Sequence, residues 1–343
     1  MHLTANHSVA ILLHQGITGT RGKTGLAYLR YGEASIVAVI DRECTGQSLS
    51  TLTGIAKDIP IVANLEEAFA YHPDVLLIGI APSGGALPDD LLAEVIQAVN
   101  SGLSIVNGLH TPLAPQFGTL KLGQWIWDIR QEPPGLTVGT AKARSLPCKR
   151  FLTVGTDMVI GKMSACLELH SASKKRGIKS KFIGTGQGGI MISGAGIPLD
   201  AIRVDFAAGA VEQIVVNSGN DYDVLWIEGQ GSLLHPGSTA TLPLIRGSQP
   251  TGLLLVHRPG QTHISSCPDV AIPPLPDVIN LYETVASVAG AIEPVKVKAI
   301  VLNTFHLDDE KAQQAIKTIE TQTGLPCTDV VRFGAEDLLD SLL

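Results

Sequence analysis

The stretch with the plainest chemical purpose is GTDMVIGKMS, Gly155–Ser164. Gly155 and Gly161 enclose five residues, and Lys162 follows at once. The apolar run RFLTV (Arg150–Val154) precedes it and the helical pattern KMSACLELHSASKKRG follows. Strand, glycine-bounded loop, lysine and helix in that order predict a phosphate cradle. Main-chain N–H groups of the loop and first helical turn aim at an anion, and glycines let it come close. Lys162 adds a cation. The expected ligand-binding residues of the loop are therefore Gly155, Thr156, Gly161, Lys162, Met163 and Ser164. The loop is one residue longer than the common G-x-x-x-x-G-K form. Met163 stands where a hydroxyl would reach Mg²⁺, and Ser164 comes one position late, about 100° round the helix. The plain alternative is a glycine-bounded strand–helix turn that holds no ligand.

Further candidates sit at other strand ends. Val224–Ile227 is a buried-type strand that ends at Glu228, and an acid so placed beside a phosphate loop holds Mg²⁺ directly or through water. Glu228 and Ser164 are the expected metal-side groups. His235 lies seven residues on, where it serves either as a base or as a packing residue. His257 ends the strand GLLLVH and His263 lies beyond it; with Glu228 they could make a metal site, yet no H-x-x-x-H spacing supports zinc. Asn303 ends KVKAIVLN, a position at which a nucleotide base is often read. The glycine-dense KSKFIGTGQGGIMISGAG (Lys179–Gly196) reads as a strand followed by a loop that is either mobile or lets substrate approach the backbone.

The elements that must hold these residues follow a single rhythm. SVAILLHQG, SIVAVID, IPIVA, VLLIGIAPSGG (Val75–Gly85) and LSIVNG alternate with helical patterns, and the alternation resumes after Arg150. A helix is expected from Val278 to about Gly290, and Asp200–Gly219 reads as a helix with Asp200 as its N-cap. Strands alternating with helices predict an α/β protein with mainly parallel sheets. The 343 residues suit two domains. The expected division is 1–130, a Rossmann-like domain; 131–149, a linker rich in Pro, Gly and cations; and 150–343, a P-loop NTPase-like domain. Trp125 and Trp127 read as packing at the domain junction rather than ligand stacking. Lys142, Arg144, Lys149 and Arg150 either meet phosphate or are solvated.

Composition narrows the function. A net charge of −7 and 4% aromatic residues argue against a nucleic-acid or anionic-membrane partner. Five cysteines without a C-x-x-C pair read as reduced thiols of a cytoplasmic protein. No basic flank leads a long apolar segment at the N-terminus, and no apolar run spans a bilayer. The expected partner is a small molecule, an amino acid or small carboxylate, and the expected assembly a homo-oligomer.

Near the N-terminus, Gly16, Gly19 and Gly22 are spaced G-x-x-G-x-x-G after a strand. Asp41 ends the next strand, where an acid either binds ribose or forms a turn. With IPIVANLEEA, VLLIGIAP and SGLSIVNGLHTP, this segment, about residues 8–113, resembles the coenzyme A-binding domain of succinyl-CoA synthetase. The resemblance implies that Gly16, Thr18, Gly19, Gly22 and Lys23 face a CoA-type phosphate. GTDMVIGK, EGQGSLLHP and AIVLN resemble dethiobiotin synthetase, which implies phosphate- or substrate-side roles for Asp157 and Lys162 and a Mg²⁺-side role for Glu228.

Four longer motifs, GTDMVIGKMS, TGQGGIMI (Thr185–Ile192), DFAAGAVE (Asp205–Glu212) and EGQGSLLHP (Glu228–Pro236), identify the chain as a member of a two-domain family of D-glutamate N-acetyltransferases, in which Met163 is the usual residue. Membership implies acetyl-CoA as co-substrate and D-glutamate as acceptor. Asp157, Lys162, Glu228 and His235 are then the catalytic candidates, His235 or Asp157 as base. N–H groups of Thr185–Gly189 or of the phosphate loop would hold the oxyanion, and Arg203 or Arg246 a substrate carboxylate. The alternative is an ATP- and Mg²⁺-dependent ligase or kinase acting on a small carboxylate.

Overall fold

The computed structural model describes residues 3–82, 87–287 and 294–343. The Ser83–Gly85 end of the Pro/Gly loop and the end of the helix expected to reach Gly290 lie outside the described residues. The chain forms two compact units, Met1–Glu132 with Gln187–Ala201, and Pro133–Gly186 with Ile202–Leu343.

In the first unit six parallel strands, β1 (Ser8–Leu12), β2 (Ser35–Ile40), β3 (Ile61–Val62), β4 (Val75–Ile78), β5 (Ser104–Asn107) and β6 (Ile126–Asp128), lie in the order β3-β2-β1-β4-β5-β6. This is the doubly wound order, whose reversal between β1 and β4 marks the usual ligand crevice. The sequence of β4, VLLI, is apolar without alternation because both faces of the sheet are covered, and every residue in it is buried. β6 explains Trp125 and Trp127: they flank or form an edge strand paired to β5, and Trp125 packs edge-on against His7.

The glycines after β1 are consumed by the loop's own packing. A Cβ on Gly22 would lie 2.1 Å from the Gly16 carbonyl oxygen, and one on Gly19 2.2 Å from that of Gln15. Asp41, fully buried, accepts the N–H groups of Gln15, Ile17 and Glu43. Its carboxylate therefore holds the turn.

The second unit repeats the architecture. Six parallel strands, β7 (Lys149–Gly155), β8 (Ser180–Ile183), β9 (Val224–Ile227), β10 (Gly252–His257), β13 (Val297–Leu302) and β14 (Cys327–Thr328), follow the order β14-β13-β10-β7-β9-β8. A separate hairpin, β11 (His263–Ile264) and β12 (Cys267–Ala271), emerges from the Pro-rich stretch after β10 that reads as loop in the sequence. Among the described residues no helix is long and apolar enough to cross a membrane.

Three local expectations change. The glycine-dense stretch after β8 is a helix, Gln187–Ser193, whose Ile190 and Met191 enter the first unit's core. Burial of that apolar pair outweighs the helix cost of Gly188 and Gly189. It also places 187–201 with the first unit rather than in one unbroken 150–343 stretch. Asp200 lies in a 3₁₀ turn and pairs with Arg130, while the helix starts at Val204 after Arg203.

Residues 133–148 belong to the second unit and are pinned by the motif DFAAGAVE. Glu212, buried, accepts Thr140 N–H with both oxygens at 3.1 Å and Lys142 N–H at 2.7 Å. Gly209 gives the Thr137 carbonyl room, since a Cβ there would lie 1.7 Å from that oxygen. Arg150 is not a phosphate ligand: its buried guanidinium donates to the Leu146, Cys148, Ser248 and Gln249 carbonyls. The Glu212→Ala variant strands the N–H groups of Thr140 and Lys142, at about 1–3 kcal/mol for each. Limited trypsin digestion should then cut faster at Lys142 and Arg144 than in the parent, and unchanged cleavage would refute the pinning.

Candidate functional site

β7 is central in its sheet, with β9 and β10 as its neighbours. The carboxyl ends of these three parallel strands therefore deliver Gly155, Glu228 and His257 to one edge. The loop Gly155–Gly161 then turns into the helix Lys162–Lys175. Gly161 makes that turn at φ +107° and offers no side-chain cap, which leaves first-turn N–H groups without intrahelical acceptors.

Lys162 is turned inward, not to solvent. It is 6% exposed, and its Nζ donates to the Asp157 carbonyl oxygen at 2.8 Å. Its stem passes Gly229, where a Cβ would sit 3.1 Å from Lys162 Cδ and 1.7 Å from the Thr153 carbonyl oxygen. Burial pulls the ammonium down to about 8, against the carboxylates of Asp157 and Glu228, which favour its charge.

Glu228 is 4% exposed at the end of β9. Its Oε2 accepts Thr185 N–H at 2.8 Å and Gly186 N–H at 3.2 Å. Burial pushes its carboxyl up to about 7; those two N–H groups, Lys162 and Gln230 only partly offset the rise. An acid and an amine with pKa values displaced towards each other in a buried site have the profile of proton-transfer groups.

Asp157 is built differently. Its carboxylate accepts Met158 N–H at 2.6 Å, Ser265 N–H at 2.8 Å and Gln261 Nε2 at 2.6 Å. Burial would raise its pKa, but the bonds from Ser265, Met158 and Gln261 outweigh that and hold it below its ordinary value. A carboxylate so saturated is a poor proton acceptor and a good anchor. It ties the phosphate-type loop to the β11–β12 turn.

His235 anchors the same turn from the other side. Gly237 N–H donates to its Nδ1 at 3.0 Å, so the ring proton is on Nε2, which lies 2.7 Å from Ser266 Oγ. Both ring nitrogens of His235 are engaged. His257, buried, meets Thr156 Oγ1 through Nδ1 at 3.0 Å, and burial lowers its pKa to about 4. It is a neutral ring against the loop. Asn303 donates from Nδ2 to the Ile160 carbonyl oxygen at 2.9 Å, bracing the loop.

The structure thus brings Gly155, Thr156, Asp157, Gly161, Lys162, Glu228 and Asn303 together, with Met163 and Ser164 in the first helical turn. Thr185 and Gly186 N–H groups, expected as oxyanion donors, serve Glu228. Arg203 stacks over Phe206 at 4.7 Å, and Arg246 is exposed in the last turn of Thr241–Ser248. Thr18 is exposed in the first unit's glycine loop, beside Cys44. Sequence reading missed Ser232 and Tyr282, whose hydroxyls donate to the Gly155 carbonyl oxygen at 2.8 and 2.7 Å. It also missed Gln261, Ser265 and Ser266, because no spacing marks a hairpin turn that folds onto a distant loop.

The donor set does not by itself make a Mg²⁺ site. Glu228 Oε2 already accepts two N–H groups. Met163 replaces the hydroxyl expected next to the lysine, and Asp157 is saturated. No group of three or more His, Cys, Asp or Glu placed to hold a metal occurs among the described residues.

A family model described as the DUF1611 C-terminal P-loop domain of unknown function matches residues 137–339, and its N-terminal Rossmann-like counterpart matches 42–132. A D-glutamate N-acetyltransferase from Tritonibacter scottomollicae is 38% identical over 283 residues, 81% of this chain and 84% of that protein. One from a Pseudoalteromonas species is 34% identical over 283 residues, 80% of this chain and 83% of that protein. The crystal structure of a DUF1611 family protein from Anabaena variabilis ATCC 29413 is 63% identical and superposes with a TM-score of 0.95, covering 98% of this chain and 99% of that one.

The Asp157→Ala variant removes the acceptor for Ser265 N–H and Gln261. Loss of a hydrogen bond to a charged group, worth about 1.5–3 kcal/mol, should speed amide exchange at Ser265 by roughly tenfold or more, with β7 unaffected. Unchanged protection at Ser265 would show that Asp157 does not hold the turn.

Proposed function

This chain belongs to the DUF1611 family, and from that premise we propose that it transfers an acetyl group from acetyl-CoA to the amine of D-glutamate. The products are N-acetyl-D-glutamate and free CoA. The observation that carries the reading is Glu228, a buried carboxyl drawn up to about 7 beside Lys162. The shared activity name of the two curated relatives supports it.

The acceptor enters as an ammonium and cannot attack until it loses a proton. Glu228, poised near neutrality, takes that proton. The free amine attacks the thioester carbonyl, forming the N–C bond as the carbonyl π electrons move onto oxygen. Lys162 and the uncapped first-turn N–H groups face that developing oxyanion. When the intermediate collapses, the C–S bond breaks, the thiolate takes up the second proton that leaves the nitrogen, and Glu228 gives its proton up to solvent, ready for the next cycle. His235 and Asp157 act by positioning, since both hold the β11–β12 turn against the loop.

A second reading draws on the same loop. An ATP- and Mg²⁺-dependent ligase would use Lys162 and Glu228 around a triphosphate. Phosphate release from ATP with D-glutamate, without thiol release from acetyl-CoA, would favour that reading.

Incubation with acetyl-CoA and D-glutamate should release free thiol, and silence across a panel of amino acids would sink the acetyl-transfer reading. The Glu228→Gln variant should lower kcat by roughly 10²–10⁴-fold, and Lys162→Ala by roughly 10²–10³-fold. The pH profile follows from the two groups. Glu228 works ionised, so the rate climbs as pH passes about 7. Lys162 works charged, so the rate falls as pH passes about 8. The rising limb should vanish in Glu228→Gln; if it persists, another group is the base.

A further inference from the structure

The second unit holds a cavity of about 1040 Å³ that the chemistry above leaves unused. It lies between the segment that follows β10, residues 272–275 and the helix Asp309–Thr323. Every residue that lines it belongs to that unit. Its walls are mainly apolar, with Pro259, Ile272, Pro273, Leu275, Leu307 and Ile319 among them.

One wall also supports the phosphate-type loop. His257 meets Thr156, Arg258 Nη2 donates to the Val159 carbonyl oxygen at 3.4 Å, and Gln261 holds Asp157. An occupant of the cavity therefore lies beside the loop that carries Lys162.

Two polar atoms of this wall lack partners. Arg258 Nε and Gln261 Oε1 are buried and make no hydrogen bond among the described residues. Turning the Gln261 amide over does not cure this. Its Nε2 donates to the Asp157 carboxylate at 2.6 Å and to the His263 carbonyl oxygen at 3.0 Å, and both of those groups only accept. Buried polar groups are nearly always satisfied, so a donor and an acceptor left open in one wall point to an external partner.

Arg258 Nε–H needs an acceptor, and Gln261 Oε1 needs a donor. A carboxylate or phosphate would serve the first and repel the second. A chain that carries amide and hydroxyl groups supplies both. The cavity has no Phe, Tyr or Trp on which a nucleobase would stack, and no Asp or Glu to hold an ammonium, among the described residues. Its volume is at the upper end of the roughly 300–1,000 Å³ typical of sites for drug-sized molecules, well beyond a small amino acid. A pantetheine arm has the matching chemistry: long, uncharged, its amides and hydroxyl separated by apolar links.

We propose that this cavity holds the pantetheine arm of the acyl donor, with Arg258 and Gln261 pairing to its amides. The assignment rests on the acetyl-CoA reading above and needs no residue of the first unit.

The test uses the full chain. Pantetheine and, separately, adenosine 3′,5′-bisphosphate are titrated calorimetrically into the parent, Arg258→Ala and Ala315→Phe. Ala315, half-buried, lines the cavity from the helix Asp309–Thr323, so a phenyl ring there takes up its space. KM is measured for acetyl-CoA and for D-glutamate. We expect the pantetheine Kd and the acetyl-CoA KM to rise roughly tenfold or more in both variants. The bisphosphate Kd and the D-glutamate KM should stay within about twofold. A rise confined to the bisphosphate would make this a nucleotide site, and one confined to D-glutamate would give it to the acceptor; either overturns the proposal. So would unchanged constants, or a parent that does not bind pantetheine. Should Arg258→Ala fail to fold, Ala315→Phe decides, because Ala315 braces nothing in the loop. A parent that transfers no acetyl group yet binds pantetheine, with binding lost in Ala315→Phe, would sink the acetyl-transfer reading and leave the cavity standing. Transfer that persists, with the pantetheine Kd and the acetyl-CoA KM unchanged in both variants, would do the reverse.

Discussion

Removing the Glu228 carboxyl and the Lys162 ammonium from water at one strand edge is the constraint on which the second unit turns. Each buried charge would be costly alone. The fold offsets that cost with Thr185 and Gly186 N–H groups on the acid, the Asp157 carbonyl on the amine, and the attraction between the two. The offset is incomplete, and the residual penalty is what moves both pKa values towards neutrality. A fully compensated ion pair would not show such shifts, and the proposed proton transfer at Glu228 draws on this residual imbalance.

The surrounding loops hold that balance in place with hydrogen bonds. Tyr282 and Ser232 converge on the Gly155 carbonyl oxygen, Asn303 holds Ile160, and Asp157 and His235 take opposite sides of the Ser265–Ser266 turn. Such satisfied polar networks specify one arrangement where apolar contacts would tolerate several. The motif EGQGSLLHP therefore carries two duties. In the proposed reaction its first residue is the chemical group, and its Ser232 and His235 are fasteners. DFAAGAVE has no chemical group in this scheme; Gly209 and Glu212 lash residues 133–148 to the body of their unit.

The two glycine-rich loops show why glycine spacing alone is an ambiguous signal. In the first unit the glycines after β1 are filled by neighbouring carbonyls, and Asp41 secures the turn from within. In the second, Gly161 serves a left-handed turn into a helix, and Gly229 lets the lysine stem pass. Both loops read alike in sequence because a missing Cβ is required in each case. Only the neighbouring atoms say whether backbone or ligand occupies the space.

Strand periodicity, loop chemistry and strand-end acids are local properties, and the sequence by itself determined them. It yielded two parallel α/β sheets, the phosphate-type loop at Gly155–Lys162 and Glu228 at the end of its strand. Family membership was legible too, because four long motifs occur in order. Tertiary structure alone decided the rest. It made the glycine-dense 187–193 stretch a helix, since Ile190 and Met191 find a core far away in sequence. It turned Arg150 and Asp41 inward as braces and folded an unmarked hairpin onto Asp157. It also gathered Lys23, His110 and Arg130 from segments that follow separate strands. Burial and the charge of distant neighbours set the roles of these residues, and neither is written in local spacing.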